Sequence, residues 1–262
     1  MTTALSYRLT PDRPKQIGLV ILQSDETIEL DFRKLVPDSV ELLVSRVPSG
    51  NDVTPETLAE MEQHLATAAA LFPRTVRFDA VAYGCTSGTA QIGPGEVAAQ
   101  IRNGTVTAAV TEPVSALIAA CGALGIGRLA LISPYVAPVS DRIRAVLDRA
   151  GVATPVFGSF LVPDEARVAR IDAVSIVAAA ESVAKGAEVD GIFLSCTNLR
   201  TLEIIPEIEA RLDRPVLSSN QVLAWHLLHL AGVSERALMP GRLFATHSPV
   251  ASRDSSNSAA SA

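Results

Sequence analysis

The chain has 262 residues, 48% of them hydrophobic and 19% charged, which is enough apolar material for one large α/β domain or two smaller ones and too little charge for a disordered chain. The net charge is -6, no run of Lys or Arg occurs, and aromatics are only 4%, so the clustered cations and stacking rings that bind nucleic acid are missing. No apolar run reaches the ~18 residues that cross a bilayer, and the opening MTTALSYRLTPDRPKQ lacks the apolar stretch of a secretion signal; a cytoplasmic protein with reduced thiols and no membrane partner is expected.

Short apolar runs bounded by turn residues predict strands at 17–22, 40–47, 79–83, 106–110, 128–133, 155–161, 190–195 and 215–218. Helical patterns fall between them, at 26–35, 55–72, 95–102, 112–122, 138–150, 172–185, 200–212 and 219–231. The second of these opens with Thr54 as a cap and Pro55 in the first helical position. Regular alternation of strand and helix predicts βαβ units and a parallel sheet.

The pattern also reads as an internal duplication. Residues 17–24 (IGLVILQS) align with 128–135 (RLALISPY), and 78–89 (FDAVAYGCTSGT) with 189–200 (VDGIFLSCTNLR), both at a separation of 111. Each copy ends its second matched strand in Cys-Thr, and a repeat of this length is domain-sized. The expected division is a first domain of 15–113 plus 215–247, a second of 114–214, and a loose Ser/Ala-rich tail over 248–262. The strand and helix at 215–231 are expected to cross back into the first domain.

Cys85 and Cys196 each follow a predicted parallel strand, where ligand sites of open α/β sheets lie. A thiol at a helix N-terminus feels the positive end of the dipole, which predicts a lowered pKa and a usable thiolate. Thr86, Ser87 and Gly88 follow the first cysteine, and Thr197 and Asn198 the second; their hydroxyls, amide and backbone N–H groups suit a substrate carboxylate. Ser24 and Asp25 after the first strand, and Tyr135 after its counterpart, are expected to reach the same cleft. Asp25 has an equally good reading as a helix cap, as has Ser219. Cys121, among alanines on an apolar helix, reads as core.

No cofactor or metal is expected. The three cysteines form no CxxC, and His226 and His229 lack a third ligand. The glycines make neither a dinucleotide fingerprint nor a P-loop, and Lys15, Lys34 and Lys185 are not at strand ends, where a pyridoxal Schiff base would be held. Two thiols across a cleft could exchange a proton on opposite faces of a carbon, which is racemisation. Alternatively, one could add to a C=C bond that then rotates, which is cis-trans isomerisation. A non-catalytic small-molecule binding protein is the reading from another class.

GCTSGT at 84–89 and SCTNLRT at 195–201 resemble the paired cysteine motifs of the Asp/Glu racemase superfamily. With QSDET at 23–27, SPY at 133–135 and PVLSSNQVLAWHLL at 215–228, the chain looks most like the branch of maleate cis-trans isomerase and ectoine-utilisation protein A. The resemblance implies two flavodoxin-like α/β domains related by a pseudo-two-fold axis, a homo-oligomer, and catalysis by Cys85 as nucleophile with Cys196 handling the proton. Two cysteines count against decarboxylation, since the arylmalonate decarboxylases of this superfamily have one. Maleate isomerases resembling this chain carry Asn where Asp25 stands and another Asn in the loop that here reads GSFLVPDEARVARID. An acid in place of an amide would repel a dicarboxylate and favour an amino acid, such as a diaminobutyrate derivative of ectoine breakdown.

Overall fold

A computed structural model describes residues 2–10, 12–234 and 240–245; the expected tail over 248–262 lies outside these. The first half contains β1 (Lys15–Leu22), α1 (Ile28–Leu35), β2 (Val40–Val47), α2 (Pro55–Glu60), α3 (Glu62–Ala69), β3 (Phe78–Gly84), α4 (Thr86–Ile92), α5 (Pro94–Gly104), β4 (Thr107–Thr111) and α6 (Pro113–Leu124). The second contains β5 (Arg128–Ser133), α7 (Ala137–Arg149), β6 (Ala153–Ser159), α8 (Glu165–Val168), α9 (Ala173–Ala184), β7 (Gly191–Leu194), α10 (Ile205–Leu212), β8 (Val216–Ser218), α11 (Ser219–Leu230) and α12 (Arg242–Ala245).

Two four-stranded parallel sheets result, ordered β2-β1-β3-β4 and β6-β5-β7-β8. The order is the same in both, as a duplication requires. The inner strands are the continuous apolar runs: β5 is buried from Leu129 to Ser133 and β7 throughout, because helices cover both faces of a parallel sheet. The helix expected over 55–72 breaks at Met61 into α2 and α3, and Thr54 caps it by accepting from the Thr57 N–H at 3.3 Å.

One expectation needs correction. Strand β8 pairs with β7, from Ile192 opposite Val216 to Leu194 opposite Ser218, so it completes the second sheet and does not belong to the first domain. The crossing comes one element later, when α11 packs on α6, β3 and α1 of the first half. Its residues from Ser219 to Trp225 are all buried, because it is covered from both halves. The physical reason is the repeat: β8 takes beside β7 the place that β4 takes beside β3.

In each sheet the chain order reverses between the two inner strands, β1 and β3 or β5 and β7. Loops leaving such strands diverge to opposite faces and open a crevice at their carboxyl ends. The loops after β1, β3, β5 and β7 therefore carry whatever chemistry the fold positions.

Candidate active site

Cys85 is the N-cap of α4, extended at φ -153, and its Sγ accepts the Gly88 N–H at 3.1 Å. The Ser87 hydroxyl lies 3.6 Å from the sulfur. Cys196 follows β7, and its Sγ accepts from the Asn198 N–H at 3.4 Å, with the buried Tyr135 as a neighbour. Its backbone is held at φ +151, a region that side chains rarely adopt and that costs about 1–3 kcal/mol. What holds it is a neighbour: the Cys196 N–H donates to Ser219 Oγ at 3.0 Å, and that hydroxyl is bonded to Thr86 Oγ1 at 2.8 Å. Thr197 reaches the other way, donating to the Gly84 carbonyl at 3.3 Å. Each Cys-Thr pair thus grips the other half of the molecule.

The helix terminus does not activate these thiols. Burial pushes Cys85 up to about 11, outweighing the Ser87 and Gly88 hydrogen bonds that pull it down. Burial likewise holds Cys196 well above the ordinary thiol range. The expectation of a lowered pKa is corrected because both side chains are only 2% exposed, and losing water costs a thiolate more than one N–H returns. The carboxylate of Glu165 raises both thiols further, and Tyr135 feels the charge of both. The two cysteines therefore share one enclosed environment.

Glu165 is the residue that the sequence pattern left unmarked. It begins α8, is 5% exposed, and its Oε2 accepts from Asn198 Nδ2 at 2.7 Å. It reaches the site because two loops clasp across the cleft: the Glu165 N–H donates to the Asn51 carbonyl at 3.0 Å and the Val53 N–H to the Pro163 carbonyl at 3.0 Å. A positional signal existed, since the loops after β2 and β6 are equivalent in the two halves and flank the same crevice. Tyr83, two residues before Cys85 and fully buried with its hydroxyl donating to Met61 Sδ at 3.8 Å, was also unmarked.

Asp25 takes the capping role. Its Oδ1 accepts from the N–H groups of Thr27 and Ile28, each at 2.8 Å, which caps the turn into α1. Its Oδ2 is buried without a hydrogen-bond partner. Burial raises its pKa against the pull of those two N–H groups.

Other expected residues are differently engaged. The Asn198 amide bridges the halves, accepting from the Glu26 N–H at 2.9 Å while donating to Glu165, so it positions the site and has no hydrogen left for a substrate. The Ser24 hydroxyl pairs with Ser49 at 3.1 Å. Ser218, not Ser219, caps α11. Cys121 is buried in α6, as expected. His226 bonds Thr111 at 2.7 Å, and no cluster able to hold a metal occurs among the described residues. No helix among them is long and apolar enough to cross a membrane. An open groove of about 540 Å³ runs outside the site past Thr27, Asp31, Lys34 and Arg200 without touching either cysteine.

Burial raises Glu165 from 4.5 to about 7, which makes a stability prediction. Between these values the folded chain keeps a proton that the unfolded chain releases, so stability contributed by this group is complete below pH 4.5 and is lost as pH rises through 7. A Glu165→Gln variant has no such loss. Its stability relative to the parent is expected to climb from pH 5 to pH 8 by on the order of 2–3 kcal/mol, read by denaturant unfolding. His226, lowered to about 4 by burial, gives the opposite slope but is common to both proteins. A flat difference would show that Glu165 is not a buried acid.

The family model for arylmalonate decarboxylase matches residues 94–244. Maleate isomerase of Nocardia farcinica is 28% identical over 251 residues, covering 90% of this chain and 98% of that protein. Arylmalonate decarboxylase of Bordetella bronchiseptica is 35% identical over 136 residues, 51% of this chain and 57% of that protein. Among solved structures, a cysteine-to-serine variant of the Nocardia farcinica enzyme with a covalently bound succinylcysteine intermediate superposes at a TM-score of 0.78 with 26% identity, covering 90% of this chain and all of that one. The maleate isomerase of Pseudomonas putida S16 with maleate has the same fold, at a TM-score of 0.80, 24% identity, and coverage of 89% and 98%.

Proposed function

Because the chain belongs to the arylmalonate decarboxylase family, on the maleate isomerase branch of the Asp/Glu racemase superfamily, and is a cysteine-based enzyme of the isomerase class, we propose that it is a two-thiol, cofactor-independent racemase or isomerase of a small amino acid or carboxylate. The observation that carries this is the placement of Cys85 and Cys196 at equivalent strand ends of two like halves, sharing Tyr135 and Glu165 as neighbours.

The chemistry follows from that placement. One thiol takes a proton from a carbon and the other returns one to the opposite face. We assign the carboxylate that stabilises the intermediate to the buried first turn of α4, at Thr86 and Ser87. Both thiols are neutral in the closed pocket, so a base must form as the substrate enters and the charge balance changes. Maleate isomerisation is the second reading, favoured by the full-length likeness to maleate isomerases and by the succinylcysteine held in one of them. Asp25, an acid with a buried, unpartnered oxygen, favours an amino-bearing substrate; a diaminobutyrate derivative from ectoine breakdown falls in that class.

The test is proton NMR in deuterated water on maleate, aspartate, glutamate, and both enantiomers of diaminobutyrate and its acetyl derivatives, with Cys85→Ala and Cys196→Ala proteins alongside. Thiol-dependent loss of one α-proton signal is the expected result. Fumarate formed from maleate would select the second reading. No change in any compound would remove both.

A further inference from the structure

We propose that Asp25 and Glu165 form a subsite for a cationic amino group on the substrate, an assignment that rests on the two-thiol reading. Both side chains are sunk in the interior, at 3% and 5% exposure, and they are near enough to feel each other's charge. No described Lys or Arg forms an ion pair with either. Arg46 comes nearest, but it donates to the backbone carbonyls of Leu22, Gln23 and Asp25 and to the Glu29 carboxylate.

Counting donors leaves a deficit of positive charge. Asp25 Oδ1 is filled by two backbone N–H groups, whereas Oδ2 is buried and bare. The Thr197 hydroxyl lies beside Asp25, yet its hydrogen serves the Gly84 carbonyl. Glu165 receives one side-chain donor, Asn198 Nδ2, at 2.7 Å. Asn198 also ties the Glu165 backbone carbonyl and the Glu26 N–H, which fixes both acids relative to the cysteine loop. Two buried carboxylates stay ionised only beside a cation. An ammonium group has three donors and no acceptor, enough for Oδ2 of Asp25 and for Glu165 together. A dicarboxylate would instead bring negative charge to negative charge.

The same binding event has a catalytic consequence. Glu165 and Asp25 both disfavour ionisation of Cys196, and Glu165 that of Cys85. An ammonium seated between the acids offsets that repulsion, so the substrate's own cation favours the thiolate that attacks it. Specificity and activation would then share one contact, with no proton added to or lost from the overall reaction.

The experiment uses the full chain with compounds matched in skeleton that differ only by the α-amino group: aspartate against succinate, and glutamate against glutarate. Affinity is read by calorimetry and turnover by α-proton exchange. The parent should bind the α-amino member at least tenfold more tightly. Asp25→Asn and Glu165→Gln, which keep shape and hydrogen-bonding capacity, should each weaken its binding at least tenfold and narrow the preference, raising KM more than they lower kcat. No amino-dependent preference in the parent overturns the subsite, whatever the variants do. So does a preference unchanged in both folded variants, and if the cysteine variants are then inactive the two-thiol reading survives alone. A preference lost in the variants while cysteine variants stay active supports the subsite and removes the two-thiol reading.

Discussion

Alanine at Cys85 or at Cys196 is expected to lower turnover at least about 10³-fold, within the range that a positioned acid or base contributes. The double variant should be little worse than either single one, because two thiols that serve one proton transfer act as a unit. Stability separates loss of chemistry from loss of fold. Cys85→Ala leaves the Gly88 N–H without its sulfur partner, a cost of about 1 kcal/mol. Cys196 offers a sharper control, since its φ of +151 suits glycine better than any other residue. Glycine elsewhere is about 0.5–1 kcal/mol less stable than alanine; here Cys196→Gly should be at least as stable as Cys196→Ala, and just as inactive. Kinetics and thermal unfolding on the three proteins check this. A cysteine variant that kept more than a tenth of the parent's activity would end the two-thiol mechanism.

Gly88→Ala should damage activity with both cysteines still in place. A Cβ at Gly88 would lie 2.5 Å from the Tyr83 hydroxyl, 2.9 Å from Cys85 Sγ and 3.1 Å from Met61 Cε. Tyr83 is fully buried and cannot swing aside, so the first turn of α4 or the sulfur must move. Overpacking of this kind costs about 1–3 kcal/mol, and misplacing a reacting group by about 1 Å costs about 10² in rate. Gly95→Ala is the matched control: it sits in α5 with nothing within 4 Å of its Cβ, and should gain a few tenths to about 1 kcal/mol from helix propensity. If Gly88→Ala were as benign as Gly95→Ala, Tyr83 and Cys85 would not be packed around Gly88 as described.

These effects depend on different ranges of information. The eight strands could be read from the chain because burial on both faces of a parallel sheet demands local apolar runs, as in LVIL of β1 and GIFL of β7. The duplication made Cys85 and Cys196 legible, since matched strand ends in a repeated fold occupy matched places. Asp25 was legible as a cap because its partners Thr27 and Ile28 are two and three residues away.

The remaining features rest on contacts between residues far apart in the chain. Nothing near Glu165 marks it; it matters because Asn198, 33 residues on, and Asn51 of the other half hold it beside two thiols. That β8 pairs with β7, as β4 pairs with β3, is a contact across the sheet that its own three residues do not encode. The dipole argument predicted thiol activation because a helix start is visible in sequence, whereas the loss of water that reverses it exists only once the halves close. Sequence by itself determined the elements, the repeat and the two thiols, all set by short-range pattern. The tertiary structure alone decided which groups lose water and which charges share a pocket, because desolvation and charge coupling depend on distance in space, and the chain order of these residues does not encode it.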